Sequence, residues 1–219
     1  MNVDLVSITK PEIKGIQNAE DLVAFCARVS NPSNQMNVET APKLLKFLIE
    51  HKHWSPFELV DMCVEIKTSR GIAAQILRHR SFSFQEFSQR YSIANEFEDI
   101  ELRLQGDKNR QVGEILMKTN TDAYDKVNQV LIESLSLSQH CYDTMIENGV
   151  AKEVARMILP LSTQTTMYMK GSLRSWIHYI ELRSQQNTQK EHRLIAERCK
   201  KIFMKEFPTI TEALQWKVE

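Results

Sequence analysis

Residues 59–91 read LVDMCVEIKTSRGIAAQILRHRSFSFQEFSQRY, and the change of period along this stretch decides the fold class. Leu59 to Lys67 alternates, with Met62, Val64 and Ile66 on one side, as a strand does when one face is covered. Thr68-Ser69-Arg70-Gly71 then leads into a helix from about Ile72 to His79. After Arg80 the helical period is lost, and a polar-aromatic run continues to Tyr91. Strand, short helix and extended run in succession are the pattern of a chain that mixes sheet and helix.

The flanking sequence fits the same class. Upstream, Val3 to Ile8 is β-rich, Asn18 caps a helix to about Val29, and Ser30 to Asn34 is a loop. Thr40-Ala41-Pro42 opens a second helix with Leu44, Leu45, Leu48 and Ile49 at helical spacing, ending near His51-Lys52-His53. Ser55-Pro56-Phe57-Glu58 is a turn. Downstream, Phe97 to Leu104 alternates again, and Thr121 to Asn148 is the longest helix, stopped by Asn148-Gly149. A helix from Ala151 to Ile158 ends at Pro160, Thr165 to Met169 is a strand, and Leu173 to Arg183 is a helix. Thr188 opens a last long helix to about Phe207, which Pro208 closes. These elements predict one α/β (α+β) domain over residues 1–219. It would be helix-rich, with a small mixed sheet flanked by several helices, and assembled as an oligomer that completes its binding sites.

Composition narrows the function. Lys and Arg number 28 against 28 Asp and Glu, so there is no basic excess of the kind a nucleic-acid binder carries. The arginines should act locally, on a ligand. Cys26, Cys63, Cys141 and Cys199 lie far apart without a C-x-x-C pair, which reads as reduced, buried thiols. His51 and His53 are poorly spaced for a shared metal, and no metal site is expected. The first residues, MNVDLVSITK, do not resemble a signal peptide, and no apolar run approaches the ~20 residues of a membrane span. A soluble, cytoplasmic protein is expected. Met157, Met167 and Met169 read as core fillers.

Two clusters could carry chemistry. In the first, Gln75, Arg78 and His79 share one helical side, and Glu86, Ser88 and Arg90 share one face if the chain extends. Guanidinium groups bind phosphate or carboxylate with two parallel hydrogen bonds and keep their charge. The residues alone leave two readings open: a solvated basic helix end, or a pocket for a phosphorylated ligand. In the second cluster, Arg174 and His178 lie on one helical face, while Arg183 is about half a turn away at ~100° per residue. Arg174 and Arg183 therefore cannot serve the same atom group, but could serve two ligands. Ser88 has no neighbouring base that would make it a nucleophile.

Arg78-His79-Arg80, seven residues, Ser88, one residue and Arg90 resemble the signature of the flavin-dependent thymidylate synthases. Ala27-Arg28-Val29-Ser30, His53-Trp54-Ser55-Pro56-Phe57-Glu58, Ala155-Arg156 to Leu159-Pro160, and Leu173-Arg174-Ser175-Trp176 to Leu182-Arg183 also resemble segments of that family. The region from about Ile93 to Asn148 resembles it less. Ser172 and His178 stand where many members have Asn, and Gln89 where a small residue is frequent.

The resemblance implies reductive methylation of dUMP to dTMP. Methylenetetrahydrofolate would supply the carbon, and FAD would pass on the hydride of NADPH. It implies a homotetramer with active sites at subunit interfaces, without nucleic-acid or membrane partners. By the same resemblance Gln75, Arg78, Glu86, Ser88, Gln89, Arg90 and Arg156 would contact dUMP. His53, Ser55, Arg78, His79, Arg80, Ser172, Arg174 and His178 would contact FAD, with Glu58 and Ser30 as further candidates. Arg183 would lie against the uracil edge as the catalytic group. Two rival functions remain: a nucleotide-binding flavoprotein that oxidises NADPH without methyl transfer, and a non-enzymatic nucleotide or RNA-binding module.

Overall fold

The computed structural model describes residues 1–93, 96–107, 113 and 115–217. In chain order it contains β1 (Asn2–Ile8), α1 (Ala19–Ala27), α2 (Ala41–Glu50), β2 (Asp61–Ser69), α3 (Arg70–Ile76) and β3 (Ser83–Glu86). There follow α4 (Asp122–Glu147), α5 (Lys152–Ala155), β4 (Gln164–Ser172), α6 (Leu173–Arg183), α7 (Lys190–Glu206) and α8 (Pro208–Ala213). Short 3-10 turns occupy Pro32–Asn34, Ser55–Leu59 and Arg156–Ile158.

The strands form one sheet in the order β1-β2-β4-β3. Each neighbouring pair is antiparallel, which corrects the expectation of a mixed sheet. The reason lies in long-range pairing. β2, α3 and β3 form a crossover whose two strands run the same way, but β4 inserts between them and runs opposite to both. Met62, Val64 and Ile66 are fully buried, facing Gly171, Met169 and Met167 of β4 across the ladder. The alternate residues, Cys63, Glu65 and Lys67, lie on the more open face, where Tyr168 donates to Glu65 Oε2 at 2.8 Å. Apolar side chains at every second position thus direct one face into the core.

Helices α3, α6 and α7 pack around the sheet, and α1, α2 and α8 continue the same core. Trp176 of α6 is fully buried and its Nε1 donates to the Met62 carbonyl at 2.9 Å, pinning α6 to β2. Phe82 lies at the entry to β3, edge-on to Trp176 at 4.9 Å. A Cβ on Gly171 would lie 2.5 Å from the Phe82 ring, so only glycine admits that ring against β4.

Local signals in the sequence hold well. Asn18 accepts from Asp21 N at 2.8 Å and caps α1, and Thr121 accepts from Tyr124 N at 3.2 Å and caps α4. Gly149 follows α4 with φ +77°, a left-handed stop that favours glycine. Other expectations fail. Phe97 to Leu104 forms only isolated bridges, Phe97 to Thr163 and Arg103 to Leu116, because its backbone pairs with two separate segments, Glu98 N–H on the Ser162 carbonyl and Leu104 N–H on the Ile115 carbonyl. Pro208 does more than close α7: it is the first residue of α8, whose Ile210 N–H donates to the buried Glu20 at 2.7 Å. Met167 and Met169 are core residues, but Met157 sits on a surface turn and is 79% exposed. Of the cysteines, all unpaired, only Cys199 is buried; the other three lie on partly open element faces. No described helix is long and apolar enough to cross a membrane.

Candidate active site

The Arg-His-Arg stretch is built at the end of a helix and the start of a strand. α3 stops at Ile76, earlier than the spacing predicts, and Arg78 and His79 follow in tight turns closed by their N–H groups on Gln75 and Ile76 carbonyls. Gln75 therefore stays on the helix while Arg78 and Arg80 turn outward, exposed, with no ion-pair partner among the described residues. His79 turns inward, its ring edge-on to the buried Tyr179 at 4.9 Å.

Arg183, at the last residue of α6, donates from Nε to His79 Nε2 at 2.9 Å across a separation of 104 residues. His79 can accept that bond only with Nε2 unprotonated. Burial, then the charge of Arg183, then that of His178 lower its pKa to about 4, so the ring is neutral at physiological pH. The Nη groups of Arg183 have no partner among the described residues and remain free for a ligand. Arg174, half a helical turn away, instead donates to Glu58 Oε1 at 2.9 Å. The two arginines serve different atom groups, as their spacing requires.

The run after β3 behaves differently from expectation. β3 ends at Glu86, and the N–H groups of Tyr91 and Ser92 both reach back to the Ser88 carbonyl, forming a turn. Glu86, Ser88 and Arg90 therefore do not share one extended face. Glu86 accepts from Arg70 Nη1 at 2.8 Å and from Thr165 Oγ1 at 3.0 Å. Arg90 lies 3.5 Å from Glu153, and Arg156 Nε donates to the Glu153 carbonyl at 3.4 Å. Gln89 is 5% exposed and its Nε2 has no hydrogen-bond partner among the described residues. It lines a cavity of about 270 Å³ with Arg70, Arg156 and Thr163. A buried amide without a partner beside two guanidinium groups is what an absent oxyanion would satisfy.

A second cavity, about 330 Å³, is lined by Gln75, Arg103, Gln189 and Glu191. Leu161 borders both cavities, so Gln75 lies on one side of it and Gln89 with Arg156 on the other. A further cavity, about 610 Å³, is lined by Lys52, Trp54, Glu58, Arg174, Ile177 and His178, among others. Ser172 is buried beside it; its Oγ donates to Glu58 Oε2 at 2.5 Å and caps α6 through Ser175 N at 3.4 Å. His53, Ser55 and Ser30 are exposed, His53 lying edge-on to Phe47 at 5.9 Å. Among the described residues, no group of three or more His, Cys, Asp or Glu could hold a metal ion.

The model of the thymidylate synthase complementing protein family matches residues 13–209. The probable flavin-dependent thymidylate synthase of Paramecium bursaria Chlorella virus 1 is 52% identical over 217 residues, covering 99% of this chain and 100% of that protein. The chain belongs to the flavin-dependent thymidylate synthase family. The flavin-dependent thymidylate synthase of Synechocystis is likewise 52% identical, with 99% of this chain and 100% of that one covered. In fold, the chain is similar to the UMP/dUMP methylase PolB from Streptomyces cacaoi, solved with 5-Br dUMP. The TM-score is 0.81 at 24% identity, covering 98% of this chain and 94% of that one.

Two polar residues near the candidate site, Arg70 and His192, are not signalled by a sequence motif. The sequence shows Arg70 only as part of a strand-to-helix turn, yet it holds Glu86 and lines the 270 Å³ cavity. His192 was not singled out, although it precedes Ile195, Ala196, Cys199 and Phe203 on the buried stripe of α7. A histidine at such a position was the available signal.

Proposed function

We propose that the chain reductively methylates dUMP to dTMP, drawing the carbon from methylenetetrahydrofolate, with FAD relaying the hydride of NADPH. The observation that carries this reading is the Arg183–His79 contact, which joins the Arg-His-Arg segment to the end of α6 and leaves a guanidinium edge free. Uracil is a poor carbon nucleophile. Arg183 set against its N3 edge stabilises the anion and directs electron density to C5. Neutral His79 orients that guanidinium without repelling it.

Arg78, Ser88, Gln89, Arg90 and Arg156 hold the phosphate and ribose, with Gln75 and Glu86 completing the dUMP contacts. The orphan Gln89 amide beside Arg70 and Arg156 supports an oxyanion there. The 610 Å³ cavity suits a flavin: Trp54 and Ile177 offer an apolar wall, and Lys52 and Arg174 offer cations for a diphosphate. His53, Ser55, Arg78, His79, Arg80, Ser172, Arg174 and His178 would hold FAD, with Glu58 and Ser30 at its margin. Bound FAD supplies hydride chemistry that no side chain here can provide.

We also read residues 1–219 as one domain of a cytoplasmic homotetramer. That Gln75 lines one cavity while Gln89 and Arg156 line another supports sites completed by neighbouring subunits. α4 supplies an interface: only Tyr142 of its 26 residues is buried, while Val127, Val130 and Leu137 lie exposed within ~80° of one another on its surface.

The test is release of tritium from 5-labelled dUMP, which should require methylenetetrahydrofolate, FAD and NADPH together. No release from a flavin-loaded protein would refute the reading. NADPH oxidation indifferent to dUMP would select the oxidase alternative, and a colourless protein binding RNA the non-enzymatic one.

A further inference from the structure

Three elements meet at a buried imidazole. His192 of α7 has no exposed surface. Its Nδ1 lies 3.3 Å from Gln75 Oε1 and its Nε2 lies 3.2 Å from the Tyr179 hydroxyl. Gln75 Nε2 donates to Gln189 Oε1 at 2.7 Å, and Gln189 Nε2 donates to Glu191 Oε2 at 2.9 Å. The other Glu191 oxygen accepts from Arg103 Nη2 at 2.5 Å.

The charge at one end of this chain sets the direction of every bond in it. Burial raises the Glu191 pKa, but hydrogen bonds from its own backbone N–H, Arg103 and Gln189 outweigh that and hold it below the usual range. An ionised carboxylate only accepts. Gln189 must then turn its nitrogen to Glu191 and its oxygen to Gln75. Gln75 must turn its nitrogen to Gln189 and its oxygen to His192. Oε1 of Gln75 needs a donor, so His192 carries its proton on Nδ1 and accepts from Tyr179 on Nε2. Reversing any amide sets oxygen against oxygen at the next link.

We infer that His192 is a positioning residue: as the Nδ1–H tautomer it fixes the carboxamide of Gln75, leaving one amide hydrogen of Gln75 for dUMP. This rests on the proposed role of Gln75 as a dUMP contact. Burial, with the charges of Arg183 from α6 and of His79, lowers the His192 pKa to about 3, so a single proton is present and one tautomer is selected. Without a donor at Nδ1, the Gln75 oxygen loses its partner and the carboxamide is held by its single bond to Gln189, so it is less firmly set against the ligand.

Asparagine and leucine branch at Cγ and are similar in size, and the Asn Nδ2 can fall where His Nδ1 lies. His192→Asn and His192→Leu both lose the imidazole volume and the Tyr179 partner, and differ in the donor to Gln75. His192→Leu should show a KM for dUMP about tenfold above that of His192→Asn, as loss of one buried hydrogen bond implies. Their kcat and flavin content should be similar. Equal KM values, or a difference confined to flavin loss, would overturn the inference while wild-type tritium release stands. No release from the wild type sinks the functional reading and this inference with it. Should either variant fail to fold, nitrogen NMR of histidine-labelled wild-type protein decides: a protonated Nδ1 with a bare Nε2 at His192 supports the inference, and the opposite tautomer overturns it.

Discussion

His192 makes the stability of this fold depend on pH in a calculable way. Its ordinary pKa is 6.5, and burial beside Arg183 and His79 brings it to about 3. Between those values the unfolded chain takes up a proton that the folded chain refuses. Stability is therefore highest above pH 6.5, falls as pH drops below it, and stops falling on this account near pH 3. At ~1.4 kcal/mol per pH unit, His192 alone removes about 3 kcal/mol between pH 7 and pH 4.5. That is a sizeable fraction of the ~5–15 kcal/mol that holds a typical domain together. His192→Asn loses packing at every pH but has no imidazole to charge. Urea unfolding at fixed protein concentration, at pH 7 and at pH 4.5, isolates the effect. The wild type should lose about 3 kcal/mol more than the variant over that interval. Equal losses in the two proteins would show that His192 titrates normally, and the burial argument would be wrong.

Other substitutions probe other links. Arg183→Ala should cut tritium release by two or more orders of magnitude, roughly the value of one preorganised charge at a transition state, while leaving flavin absorbance nearly intact. Equal loss of both would place Arg183 on the flavin. The same variant should raise the His79 pKa, readable by NMR titration, because the charge of Arg183 helps to hold it down. Arg78→Lys keeps the charge but not the planar fork, so the KM for dUMP should rise about tenfold or more; an unchanged KM would remove Arg78 from the dUMP site. Gly171→Ala sets a methyl 2.5 Å from the Phe82 ring and should cost ~1–3 kcal/mol in thermal unfolding. An unshifted midpoint would mean that Phe82 moves aside freely.

The parts of this fold that were legible in the sequence are those decided within a few residues. Asn18, Thr121 and Asn148-Gly149 mark helix ends because capping is local chemistry, and the apolar face of β2 follows from a period of two. Pairing over long separations left no such mark. Nothing near Glu86 announces that Arg70 and Thr165 take its carboxylate, and nothing near Ser88 announces the turn that ends β3. The geometry of Arg174 and Arg183 was legible, since it needs only an unbroken helix. That Arg183 would meet His79 was not, because the contact depends on how α6 packs beside the turn after α3.

The insertion of β4 between β2 and β3 also sets a timetable for the growing chain. β3 is hydrogen-bonded to no strand but β4, with Phe84 opposite Met169. The ribosome must build everything between those two residues before β3 has an edge to join. At ~5–20 residues per second this takes roughly 4 to 17 seconds. Throughout that interval the Arg-His-Arg segment, with its three phenylalanines, has no sheet to lie on. The Arg-His-Arg stretch is thus made well before the strand that orders it, and its apolar residues stay open to other contacts until β4 arrives.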